Sequence, residues 1–208
     1  MSATPQLILR IFIPALLLIA IFVLAGMVLT GNQQSHPNRS YAPFTRVSQS
    51  KRAPLDARSI DKSRTRILIK KSEYQLHLYL GDSLLRTYLA VFGPAPEGDK
   101  FREGDGRTPE GDFKIRSMYD HEQWSKFIWI DYPNEESWQR FNRRQAQGAI
   151  PTSARIGGEI GIHGVPAGYD HAIAERQNWT LGCISLTTSD IRELYSVVQV
   201  GTEIEILP

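Results

Sequence analysis

Residues 66–92, RILIKKSEYQLHLYLGDSLLRTYLAVF, decide the fold class of this chain. After an apolar run, strict alternation places Leu76, Leu78 and Leu80 on one face of a strand. A Gly-Asp pair then turns the chain into a second apolar run, residues 84–92, so the stretch predicts a β-hairpin.

Short strands outnumber helices in the rest of the chain. Strands and helices do not alternate in the way that a parallel α/β fold requires, so the sequence predicts a mainly β fold with peripheral helices. The predicted strands cover residues 112–116, 127–131, 159–163 and 202–206. The predicted helices cover residues 135–147, begun by Asn134 and ended by Gly148, and residues 189–198, begun by Ser189.

The composition is that of an ordinary globular protein. Hydrophobic residues make up 41% of the 208 residues and charged residues 22%, which excludes a wholly disordered, collagen-like or coiled-coil chain. The single cysteine excludes an intramolecular disulfide and a zinc site built from several cysteines. The carboxylates of residues 97–112 lack the ligand order of an EF-hand, so we expect a solvated acidic loop, no metal and no cofactor.

The amino-terminal part of the chain predicts a membrane anchor followed by a tether. Residues 11–30, IFIPALLLIAIFVLAGMVLT, carry no charge over a length that matches the hydrocarbon core of a bilayer. This run is longer than the apolar core of a signal peptide, so we expect residues 1–30 to be a single-pass anchor, with cleavage as the alternative. Residues 31–65 lack periodicity and predict a flexible tether, which leaves residues 66–208 as the folded domain.

Charge is divided between the tether and the folded domain. Residues 31–66 hold eight basic and two acidic side chains, whereas residues 67–208 hold 15 basic and 20 acidic ones. A mildly acidic folded surface does not favour nucleic acid, and we expect no nucleic-acid partner. The basic tether is either a plain spacer or a segment that lies near anionic lipid or wall polymer.

Cys183 and His163 are the candidate catalytic residues. Cys183 follows Gly182 in a predicted loop, where small side chains leave backbone amides free to stabilise an oxyanion. His163 ends a predicted strand and is followed by Gly164, which makes it a rigidly mounted general base. A thiol needs such a base because little thiolate exists at neutral pH. His171 is an alternative base.

The segments Ile162-His163-Gly164 and Gly182-Cys183-Ile184 resemble the active-site signature of the L,D-transpeptidase catalytic domain, the YkuD family of cell-wall enzymes. Residues 70–92 look like that family's opening hairpin, and residues 104–113 look like its Thr-Pro-x-Gly loop. The resemblance covers residues 66–208. The family often has Ser-His-Gly-Cys and then Arg or Asn two residues after the cysteine. This chain departs from that pattern at Thr180, Leu181 and Ser185. The resulting motif is most similar to a YafK-like branch, which has hydrolytic as well as transpeptidase members.

The resemblance implies a fold, a substrate and a set of roles. Cys183 would attack the L-to-D peptide bond of a peptidoglycan stem peptide and form an acyl-enzyme. His163 would take the thiol proton while the carbonyl of Gly164 holds its other ring nitrogen, and amides around Gly182 would stabilise the oxyanion. The implied substrate-binding residues are Thr180, Leu181 and Ser185. The substrate lies outside the cytoplasmic membrane of a bacterium, so the catalytic domain would face the periplasm or cell wall.

Several alternatives stay open at this point. The acceptor is a stem-peptide amine, a protein amine or water, so the protein is either a transpeptidase or a hydrolase of the same bond. A non-catalytic wall-binding module and a membrane-anchored thiol redox sensor are the rival hypotheses. Other side chains are expected in structural or solvated positions: His77 and His121 exposed, Arg140, Arg143 and Arg144 on a solvated helix face or bound to a stem-peptide carboxylate, and Trp124, Trp129, Trp138 and Trp179 in the core or the cleft wall.

Overall fold

A computed structural model describes residues 52–208. The predicted anchor, residues 1–30, and most of the predicted tether lie outside the described residues. Among residues 52–208, no helix combines the length and the apolar character needed to cross a bilayer.

The described chain forms one eight-stranded sheet and three helices, which confirms a mainly β fold. The strands lie in the order β3-β2-β1-β8-β4-β5-β6-β7. Strand β4 is long enough to pair with β8 through its first residues and with β5 through its last ones. The strands are β1 (Thr65–Lys70), β2 (Gln75–Leu80), β3 (Ser83–Leu89), β4 (Gly111–His121), β5 (Ser125–Ile130), β6 (Gly161–His163), β7 (Ile184–Ser185) and β8 (Glu203–Leu207), and the helices are α1 (Glu135–Ala146), α2 (His171–Ala174) and α3 (Thr188–Val197).

The predicted hairpin is present and forms the first edge of the sheet. Strand β2 pairs antiparallel with β1 and with β3, and Leu76 and Leu78 are fully buried, as alternation predicts. His77 points to the opposite face but is only 8% exposed, so the expectation that it is exposed was wrong. Its Nδ1 lies 3.0 Å from the hydroxyl of Thr87, and the ring of Tyr79 lies beside it.

The two long helices begin at hydrogen-bonding caps. Asn134 accepts from the amide of Ser137 and begins α1, as predicted. Helix α3 is capped by Thr187, whose hydroxyl accepts from the amide of Asp190 at 3.1 Å, so the expected cap at Ser189 was wrong. Thr187 is the residue with extended backbone, which a cap requires, and Ser189 already lies within the helix. Helix α3 packs its apolar stripe fully into the core.

The folded unit begins earlier than the sequence predicts. Leu55, Ala57 and Ile60 pack against the core, and the amide of Leu55 donates to the carboxylate of Glu193 at 3.0 Å. Arg86 also hydrogen-bonds the carbonyl of Ala53. Residues 52–65 therefore belong to the domain and not to a flexible tether, because scattered apolar side chains and one helix carboxylate fix a segment that has no periodicity of its own.

Candidate active site

The long loop between β3 and β4, residues 93–111, is held from within by Asp105. This carboxylate accepts from the amides of Phe101, Arg102 and Arg107 at 2.6 to 3.0 Å and from the ammonium of Lys100 at 2.8 Å. Burial would raise the pKa of Asp105, but these hydrogen bonds outweigh it and lower the pKa. The loop is therefore ordered by its own acidic residue.

The loop is also tied to the rest of the domain by three cations. Lys71 is buried and donates to the carbonyls of residues 98 and 108 at 2.6 and 3.2 Å, while its ammonium lies 2.7 Å from Glu110. Arg144 of α1 donates to the carboxylate of Asp99 at 2.7 Å, and Arg140 donates to the carbonyl of residue 110.

Two expectations about these charges are thereby corrected. The acidic loop is only partly solvated, because Asp99, Asp105 and Glu110 are paired with cations. The other carboxylates of residues 97–112 are exposed, as expected: Glu97, Glu103 and Asp112. Arg140 and Arg144 hold the loop, while Arg143 is exposed as expected. Within residues 52–208, no group of three or more His, Cys, Asp or Glu side chains could hold a metal ion.

The segment that carries Cys183 packs directly against this anchored loop. Gly182 has φ +133°, and a Cβ there would lie 2.6 Å from the carbonyl oxygen of Arg107. A Cβ on Gly93 would lie 2.1 Å from the carbonyl oxygen of Gly106 and 3.1 Å from the amide of Gly182. Glycine is required at these positions because three backbone segments approach one another in the space that a side chain would occupy.

Thr180 holds the turn that carries the cysteine. Its hydroxyl donates to the carbonyl of Cys183 at 2.7 Å and accepts from the amide of Gly182 at 3.2 Å. Thr180 is buried and both hydrogen-bonding roles of its hydroxyl are filled, so it supports the loop, and its contact with substrate stays a prediction. The amide of Gly182 is engaged by this bond and is not free for an oxyanion. Leu181, in contrast, is 87% exposed beside the cysteine.

The thiol of Cys183 rests on a backbone carbonyl. Its Sγ donates to the carbonyl oxygen of Glu159 at 3.4 Å. Glu159 has φ +58°, a left-handed conformation that is strained for a glutamate. Burial raises the pKa of Cys183 to about 11, with the amide of Gly161 opposing the shift and the Glu159 carboxylate adding to it. The resting side chain of Cys183 is a protonated thiol.

His163 ends β6 with its tautomer fixed. Its Nδ1 lies 2.7 Å from the carbonyl oxygen of Gly164, and because a carbonyl only accepts, Nδ1 carries the proton and Nε2 is the basic nitrogen. The side chain is 1% exposed, and burial lowers its pKa to about 4 against the opposing hydrogen bond to Gly164. His163 is therefore a neutral base at pH 7, as a general base must be.

The sheet register brings the predicted pair to one face. In the parallel pair β6–β7, His163 lies opposite Ser185, which is two residues after Cys183. Side chains two residues apart in an extended segment point to the same face, so this register predicts that Cys183 lies diagonally across from His163. The thiol's hydrogen bond goes to Glu159, so a direct Cys183–His163 hydrogen bond stays a prediction.

Ser185 does not line the cleft. It is 0% exposed, and its hydroxyl donates to the carbonyl oxygen of Gly164 at 3.4 Å, the oxygen that also accepts from His163. Ser185 is buried because β7 runs into the core directly after the cysteine, and its contact with substrate stays an untested prediction. Gly164 has the predicted role of holding the base.

Three aromatic rings surround His163, and two of them, Trp124 and Trp179, were expected in the core or the cleft wall. Trp124 stacks on its imidazole at 4.4 Å, Phe127 stacks at 5.5 Å, and Trp179 meets it edge-on at 5.5 Å. His121 stacks on Trp124 at 4.3 Å and is half-buried, so the expectation that it is exposed was wrong. The sequence signal was a tryptophan in the turn between two predicted strands, but the strand pairing that brings it to His163 could not be known.

The alternative base lies elsewhere. His171 begins the short helix α2, is exposed, and contacts Tyr169 edge-on at 4.8 Å. None of its described contacts involves Cys183.

The fold is similar to that of several proteins of known structure. The solved structures to which the fold is similar include Bd1075 from Bdellovibrio bacteriovorus (TM-score 0.49, 19% identity, 69% of this chain and 48% of that one). They also include the helical cell shape determining protein Pgp2 from Campylobacter jejuni (TM-score 0.48, 21% identity, 68% and 46%) and an L,D-transpeptidase from Mycobacterium smegmatis (TM-score 0.46, 13% identity, 70% and 59%). The matched region spans about half the length of these proteins.

Sequence comparison gives the family. No curated protein sequence matches the chain. The sequence profile of YkuD, the L,D-transpeptidase catalytic domain, matches residues 64–206. The resemblance seen in the sequence is thereby confirmed, and the chain belongs to the YkuD family of L,D-transpeptidase catalytic domains.

Proposed function

We propose that this protein is a cysteine-dependent peptidoglycan L,D-transpeptidase that forms an acyl-enzyme on Cys183. The observation that carries the proposal is the fixed tautomer of His163, whose Nδ1–H is bound to Gly164 so that Nε2 is left as the basic nitrogen. In the β6–β7 register, His163 pairs with Ser185, which is two residues after Cys183. Membership of the YkuD family supplies the reaction class and the stem-peptide substrate.

The acylation step transfers one proton through His163. As Sγ forms a bond to the carbonyl carbon of the L-to-D peptide bond, the thiol proton passes to Nε2. The tetrahedral intermediate then breaks its C–N bond, and the imidazolium returns the proton to the departing amine of the D-residue. A neutral thiol and a neutral imidazole are the resting forms, so the proton moves during attack and not before it.

Of the amides of Gly182 and Cys183, which were predicted to stabilise the oxyanion, one can donate to it. The amide of Gly182 is bound by Thr180, which leaves the amide of Cys183 for the oxygen that becomes negative. The turn is held in place by Thr180 and by the glycine contacts beneath it, so this donor is aimed before the substrate arrives.

The second step decides between cross-linking and hydrolysis. An amine that attacks the thioester gives a new amide and the free thiol, whereas water gives a carboxylic acid and the free thiol. Leu181 places an exposed apolar side chain beside the nucleophile, where many relatives have a histidine. This favours weak cross-linking of ordinary tetrapeptides, with either hydrolysis or a specialised acceptor as the main outcome.

The proposed location is the outer side of a bacterial cytoplasmic membrane. The support is the uncharged run at residues 11–30 together with a substrate that lies in the cell wall. A carboxy-terminal reporter that is active only outside the cytoplasm tests this orientation, and an active cytoplasmic reporter would contradict it.

The proposed activity is tested with the full chain and purified tetrapeptide muropeptides, with the products weighed by mass spectrometry. We expect a protein mass increased by the acyl fragment, release of the terminal D-residue, and neither event with Cys183→Ala. Dimeric muropeptides linked through two third-position residues would identify the transpeptidase, and tripeptides alone the hydrolase. Binding of muropeptide without acylation would favour the wall-binding module.

A further inference from the structure

Three rings from two parts of the chain stack in series at the catalytic base. The indole of Trp124 lies between the imidazoles of His121 and His163, with ring centroids 4.3 and 4.4 Å away and interplanar angles of 8° and 23°. His121 is the last residue of β4, and Trp124 lies in the turn between β4 and β5. This turn therefore forms one wall of the pocket that holds His163.

Trp124 also reaches His163 through the backbone. The amide of Gly164 donates to the carbonyl oxygen of Trp124 at 3.1 Å, and the carbonyl of Gly164 accepts from His163 Nδ1 at 2.7 Å. A Cβ at Gly164 would lie 2.5 Å from the same Trp124 oxygen, so the two backbones are in close contact. A shift of Trp124 would move the acceptor that fixes the tautomer of the base.

His121 fixes the turn that carries Trp124. Its Nδ1 lies 3.2 Å from the amides of both Gln123 and Trp124. A ring nitrogen that accepts these bonds carries no proton, so the N–H of the His121 ring is on Nε2. The following residue, Ser125, has φ +66°, a conformation that needs such local support.

We propose that Trp124 and His121 are positioning residues for the catalytic base. His121 sets the turn, and Trp124 transmits that geometry to the ring face of His163 and to the carbonyl of Gly164. This inference rests on the proposed role of His163 as the base. Loss of the arrangement lowers the acylation rate because a small displacement of a general base costs much of its effect.

The test separates the ring contact from the turn. Trp124→Phe keeps an aromatic ring and Trp124→Leu removes it, while His121→Asn keeps a side-chain acceptor for the turn and His121→Leu removes the acceptor. Trp138→Leu is the matched control, because Trp138 is an exposed tryptophan on α1. Each full-length variant is measured for acylation by muropeptide and, without substrate, for the tautomer and pKa of His163 by ¹⁵N NMR of its imidazole.

We expect Trp124→Leu to lower the acylation rate by about 10- to 100-fold, to raise the pKa of His163 and to weaken its Nδ1–H signal. Trp124→Phe and His121→Asn restore most of the loss seen with the leucine variants, and Trp138→Leu changes neither readout. If Trp124→Leu does not fold, the His121 pair gives the answer.

An unchanged rate and an unchanged Nδ1–H tautomer in the leucine variants would overturn the proposal. A wild-type protein that does not acylate would instead contradict the proposed function. In that case, the NMR comparison still decides whether the turn positions His163.

Discussion

The thiol of Cys183 and the backbone carbonyl of Glu159 are joined by a hydrogen bond of 3.4 Å in which sulfur is the donor. A donating thiol is a protonated thiol, and this bond favours the neutral form of the nucleophile. The carbonyl is presented by a residue in a left-handed conformation immediately before β6. The resting form of Cys183 is therefore the neutral thiol.

The first prediction concerns the reactivity of this thiol towards a small alkylating agent. With a Cys183 pKa of about 11 and a neutral His163, the iodoacetamide rate rises about tenfold for each pH unit between 7 and 10. Mass spectrometry follows the reaction directly because the chain has one cysteine. A rate that is already flat near pH 7 would show a thiolate–imidazolium pair and contradict this account.

The second prediction concerns the strained residue itself. Glu159→Asn places a residue that tolerates left-handed backbone at this position, and we expect the free energy of unfolding to rise by about 0.5–1 kcal/mol. The change also removes a carboxylate that raises the pKa of Cys183, so alkylation at pH 8.5 becomes faster. Urea unfolding and the alkylation assay measure the two effects. Glu205→Gln, an exposed carboxylate on β8, controls for net charge, and equal rates in the two variants would refute the local effect.

The third prediction concerns stability against pH. The pKa of His163 is about 4 in the folded state and 6.5 in the unfolded state, so the unfolded state binds more protons between these values. The contribution of neutral His163 to the free energy of unfolding is fully present above pH 6.5. As the pH falls to 4, this contribution decreases by about 3 kcal/mol at most.

Comparison with His163→Gln isolates this contribution, since glutamine does not titrate. In urea unfolding at several pH values, the free energy of unfolding of the wild type should fall relative to that of the variant by about 3 kcal/mol at most as the pH decreases from 6.5 to 4. Parallel curves between pH 6.5 and 4 would mean that His163 is not buried as a neutral ring.

The fourth prediction separates chemistry from folding at the nucleophile. Cys183→Ala and Cys183→Ser remove the thiol but little packing volume, so we expect no muropeptide acylation and a melting temperature within a few degrees of wild type. Intact-protein mass spectrometry and thermal unfolding measure the two outcomes. Turnover by Cys183→Ala would refute the acyl-enzyme mechanism.

Much of the fold could be predicted because its signals are local. Alternating leucines in β2 and an Asn cap before α1 are each readable within about ten residues. Cys183 and His163 could be proposed as a catalytic pair because small residues and a strand end mark them, and because the surrounding motifs resemble a family.

The rest depends on pairings that local sequence does not encode. The family resemblance implies that Thr180 and Ser185 bind substrate, yet both are buried and donate to backbone carbonyls. Nothing in the run from 52 to 65 shows that Glu193, more than a hundred residues away, will bind the amide of Leu55. Trp124 reaches His163 only because β5 pairs with β6, which is a long-range choice of register.

The contact of Gly93, Gly106 and Gly182 bears on how such a domain can diverge. The position of the segment that carries Cys183 is determined by direct backbone-to-backbone contact at these glycines and not by any side chain. Leu181, one residue away and pointing into solvent, takes no part in that contact. Selection can therefore change the residue at position 181, and so alter which acceptors approach, while the backbone contacts that hold the Cys183 segment stay the same. Substrate preference and catalytic geometry are, in this domain, separately evolvable.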